Sequence, residues 1–214
     1  VYNINLKVSK KNSFSLFSIF NNILGTSNTT LDKLYCSKFV LSIAGNYFLI
    51  FKVASIFQYF TEVIFRKERF IITEGKKEVN NSIINLKILI LFLSIIFGNI
   101  FLKFLDDYIL ALFYDSYEFI YSFIEIIIIY IDEISIISIS FLINSISGLD
   151  YDKIYRNFGN KKLFLVNLSN TFLFVTLLLI FGKTITSLTF IFLIIHIFNF
   201  FYVKILKYLL FKNV

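Results

Sequence analysis

Three carboxylates, Glu118, Glu125 and Asp132, recur every seven residues along the apolar stretch Tyr117 to Ile146, with Ser122 between the first two. Glu133, Ser140 and Asn144 continue the same side. Spaced carboxylates in a wet seam can pass protons between them, so one chemistry open to this pattern is proton conduction. The competing role is a row of anions facing lysines or arginines on other chains, or overhanging the aqueous rim. Glu118 reads as a rim residue, and Glu125 and Asp132 as the deeper pair. His196 is the chain's one histidine and could act as a proton relay or an axial haem ligand. A second haem ligand would have to come from another chain, and the commoner role is a bond to a neighbouring helix. Thr189 and Asn199 share its helical face. Asn99, Asn167, Asn170 and Asn199 stand in apolar runs and are expected to bond between helices. Cys36 is alone, which excludes a disulfide framework and a cysteine metal cluster. The sequence carries no P-loop, GxGxxG, CxxC, HExxH or GxSxG pattern. No catalytic residue is assigned, and no cofactor or metal is expected on this chain alone.

At 3.6 residues per turn the carboxylates form one polar stripe on an Ile/Phe-covered helix. Tyr117 to Ile146 is long enough to cross a bilayer with tilt. Charge at that depth needs protein or water around it, which places this helix inside a bundle. The whole chain is 57% hydrophobic with a mean hydropathy of +0.79, far outside the range of a soluble domain. Apolar runs predict spans at about 39–65 (interrupted by Lys52), 86–105, 117–147, 163–181 and 184–206. Gly148 is a helix-stop signal for the third of these. The expected fold is therefore all-α, a polytopic transmembrane bundle of four or five spans forming one domain over 38–214. Residues 1–37 read as an N-terminal arm, with the apolar patch Phe14 to Leu24 as an interfacial helix. With no proline, the spans should be fairly straight.

Loops 66–87 and 148–162 and the C-terminal segment are basic, while the connection around 106–118 is acidic. The positive-inside rule then pairs the last four spans as two hairpins, with the basic ends on the inner side. The net charge of +7 reads as retained loops, with no nucleic-acid partner.

Phe, Ile, Asn and Lys dominate, whereas Gly is 7, Pro 0, and Ala and Arg three each. That is the mark of a very AT-rich genome. Lys7, Lys10 and Lys11 stand near the start without the Arg-rich pattern of a transit peptide. This fits an organelle-encoded or processed chain. In composition and hydropathy the chain resembles membrane subunits of respiratory complexes encoded in protist mitochondria. The stretch Glu125 to Gly148, EIIIIYIDEISIISISFLINSISG, also resembles the penultimate helix of the ATP synthase subunit a family. Asn144 and Gly148 match the family's spacing, and Glu125 aligns after a one-residue insertion. The family's arginine falls on Ser140, so the resemblance implies the class and not that residue's role. It implies a multi-pass subunit of an oxidative-phosphorylation complex in the mitochondrial inner membrane. The expected role is mainly structural, with a contribution to a proton path. The expected partners are other membrane subunits of a large hetero-oligomer and the lipid bilayer, including structural lipids such as cardiolipin. The alternative is a small membrane transporter or translocase component.

Overall fold

The computed structural model describes residues 19–24, 30–75, 79–114 and 118–212. Within them the chain is helical throughout. Residues 19–24 form a short helical piece. Then follow α1 (Leu31–Phe39), α2 (Leu41–Glu74), α3 (Asn81–Phe104), α4 (Asp106–Phe113), α5 (Glu118–Ile129), α6 (Ile131–Phe158), α7 (Asn160–Phe181) and α8 (Ile185–Lys212). Five of these, α2, α3, α6, α7 and α8, are long and apolar enough to cross a membrane. The fold is an all-α polytopic bundle. Of the interfacial helix expected over Phe14 to Leu24, residues 14–18 lie outside the described residues.

Local chemistry explains most boundaries. Asn80 caps α3 by accepting the Ser82 N–H at 2.9 Å. Gly75 ends α2 at φ 68°, the left-handed position that costs glycine nothing. Arg156 of α6 donates to the Ile72 carbonyl at 3.1 Å, satisfying one of the four acceptors a helix end leaves open.

Helix α6 is the hub, packing against α2, α3, α7 and α8. Cross-contacts fix the directions. Thr61 meets Ser145 and Arg156 meets Ile72, so α2 and α6 run the same way. Thr186 meets Glu133 and Lys207 meets Asp150, so α8 does too. Lys87 meets Glu68 and Asn99 meets Asp132, so α3 runs opposite. Asn167 meets Tyr151 and Asn170 meets Asn199, which makes α7 the other reversed helix. The ends of α2, α6 and α8 therefore share one basic end of the bundle. Asp32, Asp106, Asp132 and Glu133 lie toward the other.

Several expectations are corrected. The stretch 117–147 is two helices, with a break at Tyr130 (φ −106°, ψ 25°). The break follows a run of four β-branched isoleucines, which helices tolerate poorly. It also lies where Asn99 of α3 inserts against the Ile131 carbonyl at 3.3 Å, an insertion of the kind that bends helices. The spans are thus not all straight. Gly148 does not end a helix: α6 continues to Phe158, and the loop expected over 148–162 shrinks to the turn at Gly159. Gly148 is there for packing, because a methyl at that point would overlap the Arg69 guanidinium. The loop expected over 66–87 is likewise mostly helix, and the acidic connection after α3 contains α4.

A polar cavity inside the bundle

The buried face of α6 carries small and polar residues at Ser138, Ser140, Ser145 and Ser147. Ser138, Ser140 and Ser147 each return their hydroxyl to the carbonyl four residues back, at 2.8–3.0 Å, and so bring no unmet polar demand into the core. Ser145 instead shares a hydrogen bond of 3.0 Å with Thr61 of α2. Small side chains here let α2 and α8 approach the hub closely.

Beside this seam lies a cavity of about 500 Å³. Its apolar wall is aromatic. Phe51, Phe141 and Phe192 meet edge to face, with ring centroids 5.3–5.6 Å apart. Each such pair is worth roughly 0.5–1.5 kcal/mol beyond its buried area. The Lys33 ammonium of α1 lies 3.9 Å over the Phe51 ring, a cation–π contact. Phe174 and Ile195 extend this wall, and the polar side is formed by Gln58 and Arg69 from α2, Asn144 and Tyr151 from α6, Asn167 and Asn170 from α7, and His196 and Asn199 from α8.

These groups are only partly satisfied. Asn170 donates to the Asn199 side-chain oxygen at 2.8 Å, yet its own Oδ1 is buried without a partner. Asn167 and Tyr151 bond to each other at 3.2 Å, and the Tyr151 hydroxyl accepts from Asn21 at 2.8 Å. His196 packs its ring edge to face on Phe192 at 4.5 Å, and its Nε2 is buried with no partner. Arg69 Nε is also buried without a hydrogen bond, with the nearest Asp152 oxygen at 4.0 Å. Arg69, Asn170 and His196 thus each bring a polar atom without a hydrogen bond to the lining of one cavity, a grouping of polar side chains that marks it as a candidate site.

The carboxylate stripe lies elsewhere. Glu125 is exposed on α5, and Glu118 belongs to α5 by its backbone, its side chain being outside the described residues. Asp132 is exposed and held by Lys103 at 2.7 Å and Asn99 at 3.1 Å, both of α3. Glu133 accepts from Thr186 of α8 at 2.8 Å. The expected deeper pair, Glu125 and Asp132, therefore faces outward. Asp132 has its cation within its own chain. Ser140 is fully buried and offers no charge. Of the residues singled out in the sequence, His196 lines the cavity together with Asn144, Asn167, Asn170 and Asn199, whereas Glu125, Asp132 and Glu133 do not.

Sequence reasoning missed Arg69 and Tyr151. Tyr151 continues the Ser140, Asn144, Ser147 face at helical spacing, a signal hidden by ending the helix at Gly148. Arg69 sat in a run, RKER, that read as loop.

Other buried charges are paired. Glu68 bonds Lys87 at 2.5 Å, and Asp150 meets Lys207 at 2.5 Å and Lys204 at 3.3 Å. Outside the spans, Asp32 of α1 accepts from the Tyr47 hydroxyl at 2.6 Å. Burial pushes the Asp32 carboxyl above its ordinary 3.8, the Tyr47 bond opposing it only in part. Burial, helped by the Asp32 charge, pushes the Cys36 thiol up to about 12, which makes it a poor nucleophile. Among the described residues no cluster could hold a metal ion.

The fold and this site define a multi-pass α-helical membrane protein with a polar interior. Compared with known proteins, the chain matches no family model, no curated protein and no solved structure.

Proposed function

We propose that this chain is an integral membrane subunit of a mitochondrial energy-transducing complex, in the respiratory chain or the ATP synthase, with a mainly structural role. The observation that supports this reading is the acid end of the bundle. Glu125 is exposed on a helix whose other residues are Ile and Phe apart from Glu118, Tyr121 and Ser122, and α4 beside it buries none of its residues. Lipid cannot satisfy such a carboxylate, whereas a neighbouring subunit presenting lysine or arginine can. In this reading Glu118, Glu125, Asp132 and Glu133 serve a proton path only where a neighbour completes the seam. The AT-biased composition supports the mitochondrial setting, and cardiolipin would fill the apolar flanks.

The test is a native gel of mildly solubilised source membranes, with mass spectrometry locating the chain. Co-migration with one large respiratory or ATP synthase assembly is expected. Migration as a small free species would sink the reading. The cavity supports a second reading, a small transporter or translocase component. That reading requires solute flux in liposomes containing this chain alone.

A further inference from the structure

The cavity's lining has an asymmetry of charge. Arg69 and Lys33 line it, and no aspartate or glutamate does so among the described residues. The sequence before Asp32 contains no acid either, so no undescribed residue of 1–29 could supply one. Carboxylates stand at its margins: Asp32 adjoins Lys33 and interacts with its charge, Glu62, exposed, accepts from Gln58 at 2.9 Å, and Asp152 stands 4.0 Å from Arg69 Nε. A proton or metal cation would find cations and no carboxylate in the described lining. An anion would meet complementary charges, strengthened by apolar surroundings.

Three of the lining residues carry polar atoms without a partner that side-chain rotation could turn toward a ligand. Arg69 Nε is a buried N–H donor without an acceptor, and His196 Nε2 becomes one in the right tautomer. Asn170 is 4% exposed, and its amide pairs with that of Asn199. Turning both amides over keeps their mutual bond and exchanges the unpartnered oxygen for an N–H₂. The Arg69 guanidinium lies against Gly148, in the space a side chain there would take, and its side chain is 38% exposed. A planar guanidinium suits a carboxylate or phosphate oxygen pair. The Phe51–Phe141–Phe192 wall suits an apolar body on the same molecule. A cavity of about 500 Å³ is of the size that encloses a small organic molecule.

We propose that this cavity is a binding site for a small organic anion, with Arg69 holding its carboxylate or phosphate group. The phenylalanine wall packs its apolar part. The site stands whether the chain works alone or within a complex, so it does not rest on the functional reading above.

The experiment uses the full chain in phosphatidylcholine nanodiscs, titrated calorimetrically with benzoate, with phenyl phosphate, and with benzyl alcohol as the uncharged counterpart. Saturable binding of at least one anion is expected, about tenfold or more tighter than benzyl alcohol. Arg69→Gln should weaken it by about tenfold or more. Because Arg69→Gln could disturb packing against Gly148, the isosteric Asn144→Asp gives a second arm. It places a carboxylate in the lining and should weaken the anion while sparing benzyl alcohol. The proposal is overturned by benzyl alcohol binding as tightly as either anion. It is also overturned by anion affinity unchanged in both variants, or by no saturable anion binding up to about 10 mM.

Discussion

The first turn of α6 and its second half carry polar residues at similar helical spacing, yet they meet opposite fates. Asp132 stays exposed and is neutralised from outside by Lys103 of α3. From Ser140 onward the polar face turns inward, where α2, α7 and α8 close around it. The difference lies in the neighbours. At the first turn Asp132 faces α3 and the chain breaks just before it at Tyr130, whereas in the second half the polar face meets α2, α7 and α8. Full charge is left where it can be hydrated or paired, and neutral hydroxyls and amides are taken inside, where desolvating them costs far less.

The largest effect that would sharpen this contrast comes from the basic half, where charge is buried after all. Glu68 is 5% exposed and depends on Lys87. Lys87→Met leaves that carboxylate without its cation and should cost about 3–5 kcal/mol in detergent unfolding. The double change with Glu68→Leu should recover most of it. A cost below about 1 kcal/mol for Lys87→Met would show that water reaches Glu68 and that the inner region is not dry. Next in size, Gly148→Ala should cost no more than about 1 kcal/mol, because the new methyl meets only the flexible far end of the Arg69 side chain, which is 38% exposed and can shift. A cost of about 3 kcal/mol or more would show that the guanidinium is locked against α6 and that the cavity wall is rigid.

The order of the spans was legible in the sequence, and their number to within one, because hydropathy reports them directly. Their true ends were not. Gly148 looked like a stop, since nothing in one chain's sequence announces a guanidinium arriving from α2, 79 positions earlier. The stripe was legible as a pattern. Its direction was not, because the break at Tyr130 shifts the helical phase between Glu125 and Asp132, and the partner of Asp132 comes from another helix. His196 was visible as an oddity, but the amides that share its cavity gather from α6, α7 and α8 and became a site only on folding.

Smaller in effect is the pH response of α1. The Asp32 carboxyl is raised in the folded chain above its ordinary 3.8, so the protonated form is favoured by folding. Its stabilising contribution is complete below pH 3.8, falls as pH rises through the elevated folded value, and is flat beyond. Amide-exchange protection of α1 should fall across that window. Asp32→Asn should flatten the curve, and an identical curve in that variant would assign the titration to another group.

The smallest effect belongs to the acid end. Asp132 and Lys103 have side chains 61% and 49% exposed. In contact with water such a pair contributes little, so Asp132→Asn should cost no more than about 1 kcal/mol in the isolated chain. The amide can still accept from Asn99, which keeps the local bend. Glu125→Gln, which removes a carboxylate from an open helix face, should leave the isolated chain unchanged. The contrast between the two halves of α6 breaks if Asp132→Asn costs about 3 kcal/mol or more. A loss of that size would place Asp132 in apolar surroundings, where removing one partner strands a charge. The same pair of variants also separates the chain's own folding from its assembly. If both are neutral alone but each lowers the yield of a large assembly, the acid end is stabilised by a neighbour and not by water.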